Sequence, residues 1–475
     1  MRASIVVPVF ALLALLVASC SDESTPASAP EVGAGSGPGV ATRQQPAVEG
    51  AETGAGPAVA WMGHWLHEDL RETLVREVAR EYAFRHPEIR LDLRFPQEVL
   101  GVRSKPVVAR HIAEMIQSGE IAWDIVWLDD HIYRHTAEIL GDEDWGREHL
   151  VDFTTVAGYA ESQKEFIVED PVYRNQTGGI LVGPYIEGYA LALWYNREVA
   201  ERLGLEIESR GMTFDDLLGH VRRVAEYNRT ADRPVAAFYE ARDWFTLEML
   251  FQALVKSEIP DFREAIAEEG SSRKRAALLK GLQAFEALGR FDPLIPGHNG
   301  NTWFSSRHQV LEGEALFYVN GTWMYNHWRA IDPGKLELML PVQLPVFQEV
   351  DHSVGGYIPT WAVMKNGARR DEAVDFLMWW SRPQVAERWV NYTKNPTGLR
   401  GHLDLATLGD DPYERFQAYI TGQYGAKLHY SANAGYLLGK RNARLQESLN
   451  EELRRLLQGR TTALAAYESI LAATR

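Results

Sequence analysis

The sequence predicts an α/β fold for the chain after about residue 58, on three observations. A short apolar segment at residues 59–62 precedes a helical pattern, and residues 89–95 then alternate strictly between apolar and polar side chains. A strand, a helix and a second strand in close succession are typical of a parallel βαβ unit. Further apolar strands and helix-capping signals recur along the chain, and no internal repeat interrupts them.

The composition narrows the class of protein. The chain has 475 residues and a formal charge of −16, from 49 Lys and Arg against 65 Asp and Glu. This length allows two or three domains. A composition with 45% hydrophobic and 24% charged residues excludes collagen-like, largely disordered and polytopic membrane proteins. A pI near 5.4 argues against nucleic acid as a partner, because phosphate contacts need a basic face. A single cysteine excludes an internal disulfide and Cys-based zinc or iron–sulfur sites.

Residues 1–19 have the features of a secretion signal. Arg2 supplies the positive start, and the apolar run at residues 5–17 is too short to span a membrane. The sequence Val17-Ala18-Ser19-Cys20 resembles the lipobox of bacterial lipoproteins, which implies cleavage before Cys20 and lipid attachment to its thiol. An inert cysteine after an ordinary signal peptide is the alternative. Ser21 replaces the aspartate of the enteric inner-membrane retention signal, so the membrane that holds the anchor stays open.

Residues 20–57 are rich in Ser, Pro, Gly, Ala and acidic residues and predict a disordered tether. No later apolar run is long enough to span a bilayer. We therefore expect residues 58–475 to form a soluble body in an extracytoplasmic compartment, tied to a membrane through Cys20.

Apolar spacing and capping residues predict the order of elements within this body. A helix begins near Glu68, ends at Pro87 and carries four apolar residues on one face: Leu70, Leu74, Val78 and Tyr82. Strands follow at residues 125–128 and 189–195. The sequence from Thr213 to Asp216 indicates a capping box for a helix that runs to about Tyr227. Ser381-Arg382-Pro383-Gln384 repeats this device, with the proline in the first turn.

Four blocks of sequence, in a fixed order, resemble one known family. The first comprises residues 188–196, 200–205 and 213–217 (GYALALWYN, AERLGL and TFDDL), which resemble a "LYYN, helix, GL, TWDEL" passage. Residues 313–323 (GEALFYVNGTW) resemble "GKAAM…NGPW". Residues 355–363, then 372–377 and Ser381, resemble "GG…AI…EAAKEFL…S", and residues 459–464 (GRTTAL) resemble a "GKKTPEEAL" tail. These are passages of bacterial extracellular solute-binding proteins of the sugar-binding, maltose-binding-protein-like group, and they cover nearly all of the body.

The resemblance implies a type II periplasmic-binding-protein fold, the Venus-flytrap arrangement, with hinge strands between two α/β lobes. Lobe 1 would comprise residues 58–190 and 345–391, and lobe 2 residues 191–344 and 392–475. A carbohydrate would be held in the cleft and delivered to the permease subunits of an ABC importer. The resemblance further implies a monomer without a cofactor, catalytic residues or bound metal.

A neutral sugar offers apolar C–H faces and hydroxyl groups, so its site should combine aromatic rings with carboxylates or amides. In lobe 1 the resemblance places six candidates at strand ends: His64, Trp65, Asp129, Asp130, Glu187 and Tyr189. Packing on the lobe surface is the alternative for Trp65, and helix capping is the alternative for either aspartate. Adjacent residues of an extended chain point to opposite faces, so we expect only one aspartate, preferably Asp129, to reach the cleft.

In lobe 2 the resemblance favours the loop Arg242-Asp243-Trp244, where the family has a stacking tyrosine, and Trp323 after Gly321. A core position is the alternative for Trp244. Where the chain returns past the cleft, the candidates are Gly355, Gly356 and Tyr357, because glycines allow a ligand to approach the backbone closely. Tyr436 and Asn433 could add a rim contact. Three further tryptophans on predicted helices are expected in the core: Trp379, Trp380 and Trp389.

Three other functions stay open at this point. A glycan-active enzyme would use Asp129 or Asp130 with Glu187 as its carboxylate pair. A metal-uptake protein would use His131 and His135, which are spaced for one helical face, with a neighbouring aspartate. The same two-lobe fold could also bind a polyamine, a peptide or an organic anion.

Overall fold

A computed structural model describes most of the chain after residue 57. The described residues are 58–66, 68–162, 177–242, 244–261, 265, 268, 270–294, 302–397, 411–424, 428, 434–439 and 443–474. The predicted signal peptide, the tether and Cys20 lie outside them, as do Asp243 and Asn433.

The first sheet has four strands: β1 (Ala58–Met62), β2 (Arg90–Arg94), β3 (Ile125–Trp127) and β9 (Trp361–Val363). Their order in the sheet is β2-β1-β3-β9. β1 pairs in parallel with β2 and β3, whereas β9 runs antiparallel to β3. Helix α1 (Asp69–Arg85) connects β1 to β2. The predicted βαβ unit is therefore confirmed.

The second sheet has five strands: β4 (Glu187–Asn196), β5 (Ala236–Phe238), β6 (Ala315–Gly321), β7 (Met339–Gln343) and β8 (Gly355–Ile358). Four of them follow the order β5-β6-β4-β7, and β8 also pairs with β4. β6, β7 and β8 are antiparallel to β4, and β5 is parallel to β6.

β4 changes partners along its length. Residues 187–190 pair with β8, while residues 191–196 pair with β6 and β7. The chain thus enters the second sheet through β4 and is back in the first sheet at β9. The residue boundaries of the two predicted lobes stay a prediction.

The other α-helices of the described residues are α2 (Pro96–Val99), α3 (Lys105–Ser118), α4 (Asp130–Leu140), α5 (Trp145–His149), α6 (Tyr159–Ser162), α7 (Arg197–Leu203), α8 (Phe214–Asn228), α9 (Leu247–Ser257), α10 (Ser272–Gly289), α11 (Trp303–Leu311), α12 (Met324–Ile331), α13 (Arg370–Trp380), α14 (Pro383–Thr393), α15 (Pro412–Tyr424), α16 (Ala434–Leu438), α17 (Ala443–Leu457) and α18 (Ala463–Ala472). Two 3₁₀ helices span Phe153–Thr155 and Pro333–Leu338. Trp379, Trp380 and Trp389 are buried, as predicted. No helix in this part of the chain has the length and apolar character needed to cross a bilayer.

One of the two predicted capping boxes is confirmed and the other is wrong. At the start of α8, Asp216 N donates to Thr213 Oγ1 (3.2 Å), and Thr213 N donates to Asp216 Oδ2 (2.9 Å). α14 instead has Arg382 as its N-cap, although Pro383 does occupy its first turn. Ser381 belongs to the end of α13, where its hydroxyl donates to Met378 O (2.9 Å). The two helices follow one another so closely that Ser381 closes the first rather than opening the second.

Gly355 lies against β4 at very close range. A Cβ atom here would be 2.4 Å from Tyr189 O, a backbone atom held in the sheet. We expect Gly355→Ala to lower the free energy of unfolding by about 1 to 3 kcal/mol, measured by urea denaturation. Gly219 in α8 is a matched control, because a Cβ there meets nothing within 4 Å, and Gly219→Ala should stabilise by roughly 0.5–1 kcal/mol. Equal effects of the two substitutions would contradict this explanation.

Candidate functional site

The first group of candidates lies at the carboxyl end of β3. Asp129 is the N-cap of α4, where its Oδ1 accepts a hydrogen bond from Ile132 N (2.8 Å). Its Oδ2 forms an ion pair with Lys105 Nζ at 2.7 Å. Burial by itself would raise the pKa of Asp129, but Lys105 and the Ile132 amide outweigh it and lower the pKa. Asp129 is therefore an ionised hydrogen-bond acceptor at this edge of the sheet.

Asp129 and Asp130 both line a cavity of about 60 Å³. The other lining residues carry no formal charge in their usual state: Thr177, Leu181, Val182, Tyr185, Tyr189, Gly355, Tyr357, Ile358 and Pro359. The expectation that only one aspartate reaches the cleft assumed an extended chain. Asp130 is already the first residue of α4, so its side chain does not alternate with that of Asp129. Which of the two carboxylates faces a ligand stays a prediction.

A second group consists of buried charges beside α1. Arg71 forms ion pairs with Glu68 (Nη1–Oε2, 3.0 Å) and Glu187 (Nη2–Oε1, 2.6 Å), and Arg103 Nη1 lies 2.6 Å from Glu68 Oε1. Burial tends to raise the pKa of Glu68, but Arg71 and Arg103 outweigh it and lower the pKa to about 2. Burial raises the pKa of Glu187 to about 7, against the effect of Arg71. Glu68 is thus fully ionised at neutral pH, and Glu187 is partly protonated.

His64 lies next to these charges, stacked on Trp127 with ring centroids 4.2 Å apart and an interplanar angle of 22°. Its Nε2 is 3.3 Å from Arg103 Nη2. Burial first, then Arg103, Arg71 and Lys105, hold its pKa well below the usual value, so the imidazole is neutral. A neutral imidazole has one donor and one acceptor nitrogen, which suits a hydroxyl partner.

Trp65 lies beneath this polar group, with the His64 ring centroid 4.6 Å and Arg71 Cζ 5.4 Å from its own ring centroid. Its side chain is only 1% exposed and packs against Trp361 and Trp389, with ring centroids 5.6 and 4.9 Å away. The structure therefore places Trp65 in the core beneath the site, with no face left for a ligand.

Four aromatic side chains form a continuous row along the second-sheet elements. Tyr189 and Trp323 have ring centroids 5.6 Å apart, Trp323 and Trp244 are nearly parallel at 6.1 Å and 15°, and Trp244 and Trp303 are 5.6 Å apart. All four are partly exposed. We call these four residues the aromatic row. It brings together Trp323 and Trp244, two candidates from distant parts of the sequence.

Local contacts hold the two central rings of the row in place. Trp323 lies on Gly321, where a Cβ would be 2.1 Å from its Cζ3, so only glycine leaves room for the ring. Thr322 N donates to Ala190 O (2.9 Å) and ties the Trp323 loop to β4. The Trp244 loop is closed by the buried Glu240 carboxylate, which accepts from three backbone amides on either side of Trp244: Ala241 N (3.1 Å), Thr246 N (2.9 Å) and Leu247 N (3.1 Å).

Sequence reasoning missed the far end of the row. Trp303 begins α11, Arg307 lies over its ring at 4.3 Å, and His327 of α12 meets it edge-on at 5.2 Å. Arg307 Nη1 donates to His327 Nδ1 (2.7 Å), so His327 carries its proton on Nε2. Burial lowers the pKa of His327 to about 3. The available signal was a Trp directly after Thr302, the N-cap residue of α11, at the end of a polar stretch of sequence.

The remaining candidates lie elsewhere or outside the described residues. Arg242 is exposed beside the Trp244 loop, and Asp243 and Asn433 are not among the described residues. Tyr436 packs over Lys274, whose Nζ is 3.8 Å from the ring centroid, and does not line the cavity beside Asp129. Gly355 and Tyr357 do line that cavity, and Gly356 is opposite Tyr189 in the β4–β8 register. The close approach at Gly355 is to β4, so the glycine is needed for strand pairing.

The metal alternative gains no support from the described residues. The described residues contain no group of three or more His, Cys, Asp or Glu side chains placed to hold a metal ion. His131 and His135 are instead near acidic neighbours on α4, with Asp130 at 3.9 Å and Glu138 at 3.4 Å.

Several solved structures share this fold. The apo form of RafE from Streptococcus pneumoniae (TM-score 0.62, 13% identity) covers 88% of this chain and 98% of its own. The GacH receptor of Streptomyces glaucescens (0.62, 13%) covers 89% and 97%, and maltose-bound MalE3 of T. maritima (0.59, 16%) covers 85% and 95%. The fold is that of type II periplasmic binding proteins, as predicted.

A family model for bacterial extracellular solute-binding proteins matches residues 104–413. The chain belongs to this family. It is a solute-binding protein of the ABC importer type, a class that acts outside the cytoplasm and binds its substrate without transforming it. No curated protein matches the chain by sequence.

Proposed function

We propose that this protein captures a carbohydrate, a mono- or oligosaccharide, and delivers it to the permease of an ABC importer. The observation that carries the proposal is the aromatic row, which is flanked by hydrogen-bonding groups at both ends. At one end, Tyr189 shares a cavity with Asp129 and Asp130. At the other, His327 meets Trp303 edge-on at 5.2 Å and accepts a hydrogen bond from Arg307 (2.7 Å).

This combination matches the chemistry of a sugar. The rings of Trp323, Trp244 and Trp303 offer apolar surfaces for C–H faces, while Asp129, Asp130 and the neutral His64 can pair with hydroxyl groups. The fold relatives point the same way, since the solved structures include RafE with raffinose, GacH with acarbose and a chitin oligosaccharide binding protein.

Entry of the ligand requires a change of conformation. The cavity beside Asp129 has a volume of about 60 Å³, enough for a few water molecules, whereas pockets of roughly 300–1,000 Å³ enclose typical small ligands. We infer that lobe 1 (58–190 and 345–391) and lobe 2 (191–344 and 392–475) rotate apart to admit the sugar and close over it. A ligand that binds the closed form better shifts the equilibrium toward it, and the permease would recognise that form. The protein would act as a monomer, anchored to the membrane through lipid on Cys20.

A thermal-shift screen of saccharides tests the proposal. A bound sugar at about 100 times its Kd should stabilise the protein by about 2.7 kcal/mol, raise its melting temperature and change the fluorescence of the row tryptophans. A saccharide panel without effect, together with a response to Zn²⁺, amines or peptides, would contradict it. Steady hydrolysis of a glycan by the pure protein would favour the enzyme alternative instead.

A further inference from the structure

The loop that carries Trp244 joins β5 to α9, and one side chain ties its two ends together. Glu240 Oε1 accepts hydrogen bonds from Ala241 N (3.1 Å) and Thr246 N (2.9 Å). The other oxygen, Oε2, accepts one from Leu247 N (3.1 Å). Glu240 is only 4% exposed, so a single buried carboxyl group closes the loop beneath Trp244.

The same carboxyl group also serves the start of α9. This helix begins at Leu247, and its N-cap residue Thr246 makes no side-chain capping hydrogen bond. The first amides of a helix have no partner within the helix. Glu240 supplies a partner for the amides of both residues, and it thereby fixes the point at which the loop ends and α9 begins.

Both oxygens of Glu240 are needed as acceptors in this arrangement. Burial raises the pKa of Glu240 to about 8, against the effect of the three amides. A carboxyl group keeps acceptor capacity on its oxygens whether or not it carries a proton, whereas the amide of glutamine has only one accepting oxygen. Glu240→Gln would therefore leave at least one of the three amides without its partner.

Trp244 stands between two fixed points of the chain. Glu240 holds the backbone on both sides of it, and the next residue, Phe245, is buried under Arg454 of α17, whose Cζ lies 4.6 Å from the ring centroid. Trp244 itself is partly exposed and nearly parallel to Trp323. A tryptophan side chain has only two torsion angles. The backbone held by Glu240 therefore sets the plane of the Trp244 ring.

We propose that Glu240 is a positioning residue of the sugar site, which holds Trp244 parallel to Trp323 so that both rings present their surfaces to a saccharide. Glu240 is buried and acts only through Trp244. A ring that is already oriented binds more tightly, because less ordering of the loop is left to occur on binding. The inference rests on the proposed carbohydrate function and adds a residue that controls the affinity of the site from beneath.

Tryptophan fluorescence measures the orientation of Trp244 without a ligand. Glu240→Gln should shift the emission maximum to longer wavelength, because a loosened loop lets the indole leave Trp323 and meet water. The same substitution combined with Trp244→Phe should give no such shift. An equal shift with and without Trp244 would show that Glu240 acts on the fold in general and would overturn the inference.

Isothermal titration with raffinose, maltotriose and chitotriose measures the effect on affinity. For the probe that binds most tightly, we expect Glu240→Gln to raise Kd about fivefold or more, and to add less than about twofold to the loss caused by Trp244→Ala, because the two residues act as one unit. If Glu240→Gln does not fold, Glu240→Asp takes its place with the same expectation, since its shorter side chain cannot reach all three amides.

Glu286 supplies the matched control. Its Oε2 accepts a hydrogen bond from Ala463 N (2.9 Å), the first residue of α18, so Glu286→Gln disturbs the same kind of contact at a helix that contributes no ring to the aromatic row. It should lower the melting temperature without changing Kd.

Two outcomes of the titrations would overturn this inference and leave the carbohydrate function standing. One is a Kd that Glu240→Gln does not change, and the other is a loss of the same size with and without Trp244. Failure of every saccharide to bind would overturn the carbohydrate function, and the emission comparison would then decide by itself whether Glu240 orients Trp244.

Discussion

Replacing Trp323 by alanine is expected to weaken saccharide binding by about tenfold to a hundredfold, the equivalent of roughly 1 to 3 kcal/mol for losing the burial of a large side chain. Trp323 is central to the aromatic row, with Tyr189 at 5.6 Å and Trp244 at 6.1 Å. Its removal would take away one of the surfaces proposed to face the sugar and also the support of both neighbouring rings. Isothermal titration with a saccharide identified by the thermal-shift screen measures the effect.

Two further variants distinguish the loss of a ring that stacks on the sugar from a loss of protein stability. Trp323→Phe keeps a ring at the same place and should retain most of the affinity. Trp123→Ala is the matched control. Trp123 is buried and donates a hydrogen bond to His111. It lies before the start of β3, whereas Asp129 lies after the other end of that strand. This variant should lower the melting temperature without changing Kd. An unaltered Kd in Trp323→Ala would remove Trp323 from the site.

Replacing Glu187 by glutamine is expected to change how stability depends on pH. Burial raises the pKa of Glu187 from 4.5 to about 7, so its contribution is fully present below pH 4.5 and is lost as the pH rises through 7. The variant keeps a neutral side chain at every pH. Its free energy of unfolding, relative to the unmodified protein, should therefore rise by about 3 kcal/mol between pH 4.5 and pH 8.

Urea denaturation at several pH values measures this difference, and Glu68 supplies an internal control. Its pKa is lowered to about 2, so its contribution is present above pH 4.5 and is lost as the pH falls through 2. The windows of the two carboxyl groups do not overlap. A stability difference between Glu187→Gln and the unmodified protein that stays constant from pH 4.5 to pH 8 would show that Glu187 is ionised throughout.

Most of the fold could be predicted because its signals are local. The alternation at residues 89–95 predicted β2, and the Thr213 capping box predicted the start of α8, since both depend on neighbours along the chain. Ser381 shows the limit of this reasoning. Its sequence context resembled a helix start. In the structure Ser381 is instead the C-cap of α13, where its hydroxyl donates to Met378 O, and only the tertiary arrangement shows where α13 ends.

The candidate site could be predicted where side chains stand on loops after strands. Trp323 lies two residues after the end of β6, and Trp244 follows β5 after a short loop, so their positions in the sequence already indicated an edge of the sheet. Arg71 and Arg307 lie on helices, where their spacing is that of ordinary surface residues. Trp65 was placed wrongly because the direction of its ring depends on packing against Trp361 and Trp389, which are far away in sequence.

The double pairing of β4 has a mechanical consequence. Ladders on both halves of the strand, to β8 and to β6 and β7, prevent either sheet from sliding along it. A rotation of one sheet relative to the other would therefore twist β4 near Ala190, whose carbonyl oxygen also accepts a hydrogen bond from Thr322 N. Tyr189 and Trp323 both lie beside this change of partners, so a small twist there would leave their contact nearly unchanged. Parts of the two sheets farther from Ala190 would be displaced more by the same twist.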